Sequence, residues 1–415
     1  MRYQSSWLSR FTACMALGAG STLMLGAPTV SAADFGGDCC ADLEERVAEL
    51  EATTARKGNR KVSLQIYGQV TSGVMFWDFE NSGGVTEDNV YVVDPQTSGT
   101  RFGFKGKAKI TPDYSAGYHL EFQYQSADAT QVTTNSDESV ADNILEFRQA
   151  HWFIQSQTYG KIRVGLADTA NSGIAEINLS KANIADGMSS SQAGTAILGD
   201  AFGDGDPATA GNDGVSLGSN FEFNRLNVVR YDSPVFGGFI MSAAYGEDDI
   251  WDVALRYAGE IGTFKIAGGI AYGENSDGSS VFGQVNDPRQ EVVNGTLSIM
   301  ETTTGLYATG SAGQRTSDGF TDDESFWFVN SGIEQKFIPF GKTTIFGMVG
   351  EYQDRDNDSA YYYGAGLVQQ IDSAAMELFI SYRHYDLEDG GVGGLGGDLN
   401  EADFDVVVSG ARIKF

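Results

Sequence analysis

The chain has 415 residues, with 27 lysines and arginines against 56 aspartates and glutamates, and a net charge of −29 at neutral pH. Such a charge repels nucleic acid, and 41% hydrophobic with 12% aromatic residues is too much for a solvating, disordered chain. Glycine is abundant (53) and proline scarce (7), which suits many strands joined by glycine-rich loops.

The first ten residues carry Arg2 and Arg10 and no acid, and the next twenty, FTACMALGAGSTLMLGAPTV, are apolar and then small. Val30-Ser31-Ala32 fits the small-residue cleavage rule, so residues 1–32 read as a secretory signal peptide. Ala33 then becomes the mature N-terminus, and cleavage one residue later would remove it. Cys14 leaves with the signal, and the adjacent Cys39 and Cys40 cannot staple a large domain. Beyond the signal, no run of about 18 apolar residues marks a membrane helix.

Residues 33–61 form a leader with a short heptad pattern. Leu43, Val47 and Leu50 are spaced four and three apart, Cys40 and Thr54 extend the seam, and Glu44, Glu45, Arg46 and Glu49 flank it. Two heptads are marginal alone, but three copies held together would stabilise each other through effective concentration. Cys40 on the seam would pack or form an interchain disulfide, which an oxidising compartment permits. The alternative is a frayed linker.

From residue 62 onward the dominant period is two. In SAGYHLEFQYQ, Tyr118, Leu120, Phe122 and Tyr124 share one face, and His119, Glu121, Gln123 and Gln125 the other. A soluble sandwich of this size would bury some strands on both faces, whereas the pattern stays half polar throughout. In a membrane barrel the apolar face meets lipid and the polar face a wet lumen. Alternating segments fall at 62–78, 99–110, 115–126, 145–157, 159–167, 224–232, 237–246, 251–259, 263–274, 289–300, 304–315, 324–337, 342–354, 360–371, 374–387 and 404–415. The expectation is an all-β, 16-stranded antiparallel transmembrane barrel over 62–415, an even count as bacterial single-chain barrels have. Tight links (TPD, SPVFG, IPFG, IDS) alternate with long, mostly acidic ones such as ENSGGVTEDNVYVVDPQT and SADATQVTTNSDESVADN, as expected of short periplasmic turns and long outer loops.

NRLNVVRYDSPVFGGFIMSAAYG, the KIRVGL strand before a very long loop, and VSGARIKF ending on Phe415 together resemble bacterial general porins. The cysteine pair, its short coil and RKVSLQIYGQV resemble the porins of alphaproteobacteria in particular. The resemblance implies a homotrimer in outer-membrane lipid and lipopolysaccharide, with the third loop, 168–223, folded into each pore. It also makes Phe415 a signal for the barrel-assembly machinery, while an interfacial aromatic would look the same. The Ala33-Asp34 start is similar to barrels joined to peptidoglycan through the terminal amine, which would make the coil a periplasmic spacer.

By the same resemblance, acids on the loop face bases on the wall. The loop holds Asp168, Glu176, Asp186, Asp200, Asp204, Asp206, Asp213 and Glu222 against Lys181 alone. In RFGFKGKAKI the period places Arg101, Lys105, Lys107 and Lys109 together, and Lys161 and Arg163 alternate with Ile162 and Val164. A base facing lipid at mid-membrane costs roughly 2–4 kcal/mol, so these rows face the lumen. The expected wall is Arg101, Lys105, Lys107, Arg148, Lys161, Arg163 and Arg230, opposite Asp186, Asp200, Asp204 and Asp206. The transverse field between them would select solutes by size, polarity and charge. Arg148 lies in a strand without clean alternation, and any of these acids could instead sit at the outer mouth.

His119, His151 and His384 fall on separate strands and form no catalytic constellation. GDGDPATAGNDG and DRDND lack the spacing of a calcium loop, so no metal or cofactor is expected. Trp152, Trp251 and Trp327 read as interfacial girdle residues. Three functions fit: a general diffusion channel, a solute-specific channel marked by a luminal aromatic stripe, and a tether from outer membrane to cell wall.

Overall fold

The computed structural model describes residues 62–81, 86–127, 129, 145–186, 219–247, 249–276, 289–320, 322–354, 359–388 and 401–415. The leader positions Ala33, Asp34, Cys40, Leu43, Val47 and Leu50 lie outside the described residues. Among the described residues, seventeen strands form one sheet. They are β1 (Gln65–Asn81), β2 (Thr86–Val93), β3 (Arg101–Lys109), β4 (Tyr114–Tyr124), β5 (Leu145–Ser156), β6 (Gly160–Asp168), β7 (Arg225–Asp232), β8 (Phe239–Gly246) and β9 (Ile250–Ile261). After them come β10 (Phe264–Asn275), β11 (Gln290–Glu301), β12 (Leu306–Ser317), β13 (Glu324–Ile338), β14 (Gly341–Gln353), β15 (Ser359–Ile371), β16 (Met376–Glu388) and β17 (Glu401–Lys414).

Each strand from β3 to β16 pairs antiparallel with the next, and β17 returns to β1 from Gln69↔Lys414 to Asn81↔Ala402, closing a barrel. It has sixteen staves because two of the seventeen strands share one. β2 pairs with one half of a β1 edge (Gly73↔Val93 to Glu80↔Thr86) and β3 with the other half (Gln65↔Lys105 to Gln69↔Arg101). The stretch expected to be a loop from 79 to 98 thus contains a strand, hidden by the polar opening TEDN. The Asp94 carboxylate secures the break, accepting hydrogen bonds from Ser126 N (2.8 Å), Ser126 Oγ (2.9 Å) and Ser72 Oγ (3.2 Å).

The alternation orients the wall. On β11, Gln290, Val292, Asn294, Thr296 and Ser298 point inward and are buried, while Val293, Leu297 and Ile299 are exposed on the outside. Backbone groups satisfied around a closed ring, with an apolar exterior, are what a bilayer requires. Trp152 and Trp327 are also exposed on the outer face.

TPD, SPVFG, IPFG and IDS all join odd-numbered strands to the next even one, so they share a rim. In the turn after β11, Gly305 has φ +73°, and a Cβ there would collide with the Glu334 carbonyl. Asp113, between β3 and β4, ties its turn to the next short one. Its carboxylate accepts from Ser156 Oγ (2.7 Å), Gln157 N (2.9 Å) and Thr158 N (3.2 Å), which holds it below the usual carboxylate range. Phe415 exchanges backbone hydrogen bonds with Gly68 (2.9 and 3.0 Å) and lays its ring over that glycine, where a Cβ would be 2.5 Å from Cζ.

Candidate pore and its inward loop

The chain leaving β6 turns into the barrel, because its backbone is satisfied by luminal side chains. The Asp252 carboxylate on β9, 1% exposed, accepts from Ala170 N (3.0 Å) and Asn171 N (2.7 Å). Arg256, two steps along the same inward face, donates to the carbonyls of Ala170 (2.7 Å) and Ser172 (2.8 Å). Farther on, Leu179 N donates to Ser298 Oγ (3.1 Å) and Lys181 N to Glu334 Oε2 (3.0 Å), while Ser311 Oγ donates to the Ala175 carbonyl (2.6 Å). The loop therefore crosses β9, β11, β12 and β13 inside the lumen. Glu222, near the loop's return, accepts from Gly173 N (2.5 Å) and Ala175 N (2.8 Å), closing its base.

Apolar contacts reinforce this seat. Ala244, Ala254, Ala267, Gly269, Ala271 and Gly273 place small residues on the inward faces of β8–β10. Against them pack loop residues Ala170 and Ile174, with Ile177 at the edge. A Cβ at Gly269 would stand 2.7 Å from Ile174 Cδ1, and one at Gly273 2.5 Å from Phe223 Cε2. Where a lumen would ordinarily be polar, missing side chains make room for a loop.

An arc of rings runs along the inward face from β2 to β13: Tyr91 on Trp77 (6.5 Å), Trp77 on Phe404 (6.3 Å), then Tyr385 (5.9 Å), Tyr362 (5.4 Å) and Phe328 (6.3 Å). All six are at most 4% exposed, and Ala182, Ile184 and Ala185 of the loop belong to the same buried cluster.

The predicted bases lie on β3 to β7. Arg101 donates to Ser98 Oγ (3.4 Å), Lys105 stands 4.0 Å over the Tyr67 ring, and Lys107 donates to Gln155 Oε1 (3.4 Å). Lys161 lies 4.3 Å from the Phe153 ring centre. Arg163 and Arg230 face each other across β6 and β7, and both reach Asp232, at 2.5 and 2.8 Å. Arg230 also donates to the carbonyl of Asp168 (3.1 Å), so it holds the loop's entrance. Arg148 occupies a β-bulge: Glu121 pairs with Gln149 and Phe122 with Phe147, leaving Arg148 as the extra residue. The bulge breaks the alternation of this strand and lets Arg148 donate to the inward-facing Glu121 (3.0 Å).

The predicted acids fare differently. Asp186 is 3% exposed, accepts from Asn178 (2.8 Å), Asn330 of β13 (3.0 Å) and Ser180 (3.5 Å), and lines a cavity shared with Glu176. Asp200, Asp204 and Asp206 lie outside the described residues. Glu176 is the exposed acid of the described loop, and it lines a cavity with Ser98, Asn178, Asn183 and Arg412. Arg412, absent from the sequence-based wall, donates to Glu377 Oε2 (2.6 Å). Its parity on β17 was readable; its place beside the loop was not.

A closed, lipid-compatible barrel with a loop bent into its lumen defines an outer-membrane channel. A model of the Gram-negative porin family matches residues 19–390, and the chain belongs to that family. Family and fold point to a channel in the outer membrane rather than an enzyme. The fold is similar to an anion-selective porin from Comamonas acidovorans (16% identity, TM-score 0.54, 85% of this chain and 100% of that one). It is also similar to the outer membrane channel DcaP of Acinetobacter baumannii (12%, 0.54, 87% and 100%) and to Salmonella typhi OmpF (14%, 0.51, 86% and 98%). A comparison with curated proteins found no match.

Proposed function

We propose that the protein is a general diffusion pore for small hydrophilic solutes and ions. The observation that supports this reading is the division of the lumen: the loop is seated on β8–β13, and inward bases of β3–β7, the exposed Lys105 and Lys107 among them, would line the remaining space. Charges of opposite sign across that space, with Glu176 on the loop side, would order water and filter solutes by charge and size. A solute-specific channel would need rings within a solute's reach, and the buried arc is better explained as part of the loop's seat.

The trimer and the wall anchor belong to the same proposal. An OmpT of Vibrio cholerae with a similar fold is described in a trimer form (10% identity, TM-score 0.51), and three copies would bring the Leu43–Val47–Leu50 seams together. β1 starts at the short-turn rim, which outer-membrane barrels keep in the periplasm. An Ala33 joined to peptidoglycan, as in the alphaproteobacterial porins the leader resembles, would be compatible with a periplasmic start of β1.

The test is conductance in planar bilayers under a salt gradient. Stepwise openings grouped in threes, with a reversal potential that moves when Glu176 is neutralised, support the pore. Silence from folded, heat-modifiable protein rejects it and leaves the tether, which N-terminal peptides released from digested sacculi would test separately.

A further inference from the structure

Near the long-loop rim the outer face of β16 and β17 breaks the apolar rule. His384 and Asp386 share the outward parity of Leu378 and Ile380 on β16, and Asp403 and Asp405 that of Ile413 on β17. Pairing places His384 opposite Asp405 and Asp386 opposite Asp403. These residues are scattered in sequence; only the register joins them.

The imidazole is held in a defined pose. Its Nδ1 lies 2.9 Å from Asp405 Oδ1, and the same oxygen accepts from Tyr382 OH at 2.6 Å. Tyr363 packs on the ring, with centroids 5.0 Å apart. Nε2 faces Asp386 Oδ1 at 2.9 Å, and ligand atoms of His384, Asp386 and Asp403 all lie within 4.8 Å of one another. A histidine whose second nitrogen is engaged by a carboxylate, itself oriented by a further hydrogen bond, is the usual support of a metal-ligating imidazole.

The membrane supplies an independent argument. Directly opposed like charges on neighbouring strands repel, and Asp386 faces Asp403 in that way. The next outward positions around the same row hold Tyr361 beside Asp386 and Tyr363 beside His384, aromatics suited to a membrane interface. A cation between the carboxylates removes the repulsion at a face that otherwise meets lipid.

We propose that His384, Asp386 and Asp403 bind a divalent first-row transition ion such as zinc, with Asp405 and Tyr382 as positioning residues. The nitrogen ligand is the reason for that class, since calcium and magnesium take oxygen ligands. Zinc accepts histidine nitrogen at about 2.0–2.1 Å and carboxylate oxygen at about 2.0–2.2 Å, distances that small side-chain rotations reach here. The ion would pin β16 to β17 beside the seam that closes the barrel.

The experiment is calorimetric titration of zinc chloride into full-length mature protein in detergent, stripped of metal, with Cys39→Ser and Cys40→Ser removing thiol ligands. One zinc per chain is expected, with at least tenfold weaker binding in His384→Ala and in Asp403→Asn, each checked for heat-modifiable folding. Asp405→Asn, outside the ligand set, should weaken binding by roughly 10–100-fold if it orients the imidazole. Absence of saturable binding overturns the proposal, as does affinity unchanged in both ligand variants. Equal competition by calcium overturns the assignment of metal class.

Discussion

The two sides of the lumen solve opposite problems. The side from β3 to β7 keeps charge in contact with water at the exposed Lys105 and Lys107, while Arg163 and the buried Arg230 share Asp232. The side from β8 to β13 is built to receive a loop, with alanines and glycines on β8–β10 that make room for it and buried polar side chains such as Asp252, Ser298 and Glu334 that satisfy its backbone. Charge placed around an open space can act on a passing solute; shape placed under a loop decides how large that space is. Selectivity and pore size are thus assigned to different walls, and each can be altered with the other left in place.

The largest change should follow Asp252→Ala. It leaves the Ala170 and Asn171 N–H groups without their acceptor and removes one of the carboxylates near Arg256 and Arg230. Hydrogen bonds to a charged group contribute about 1.5–3 kcal/mol each, enough to release the loop's entrance. Single-channel conductance should rise severalfold with openings of mixed size, and an unchanged, uniform conductance would refute the latch. Gly269→Leu should come next. Its side chain occupies the space of Ile174 and Ile177, so the loop moves toward the basic wall and conductance falls while the reversal potential shifts only slightly.

On the other wall the order of effects inverts. Replacing Lys105 and Lys107 together with glutamate should move the reversal potential toward cations by a severalfold change in permeability ratio, with conductance altered less. Glu176→Gln should shift it modestly toward anions. If these charge changes also altered conductance as much as Asp252→Ala does, the division between the walls would fail.

The smallest effect lies outside the pore, at Asp113. Its pKa in the folded protein is depressed by the donors from Ser156, Gln157 and Thr158. The stabilisation is therefore present above the unfolded carboxylate pKa of about 3.9 and is lost as pH falls through the lower folded value. Asp113→Asn should lower the heat-modification temperature slightly at neutral pH, and the variant should converge on the parent in strong acid.

Most staves were legible from alternation alone, because an apolar exterior and polar lumen repeat the same two-residue period sixteen times. β2 was not, since its first residues are polar on both faces and pair only where β1 extends past β3. The irregular pattern around Arg148 was visible, but its cause, an extra residue, appears only in the register with β4. The loop's length announced that it had a role, whereas its anchors did not: Asp252 is an ordinary strand aspartate until the barrel brings it beneath Ala170. Asp186 shows the converse, an acid conspicuous in sequence that is buried and hydrogen-bonded to Asn178 and Ser180 of the loop and to Asn330 of its seat.

The glycines and alanines beneath the loop make this channel vulnerable in an unusual direction. A scan that replaces each residue by alanine removes atoms, and much of this patch has few to remove. Its information is carried by empty volume, so the informative mutations are those that add bulk. Random single-base changes at glycine codons yield larger residues, and pore size should drift downward under mutation faster here than a census of functional side chains would suggest.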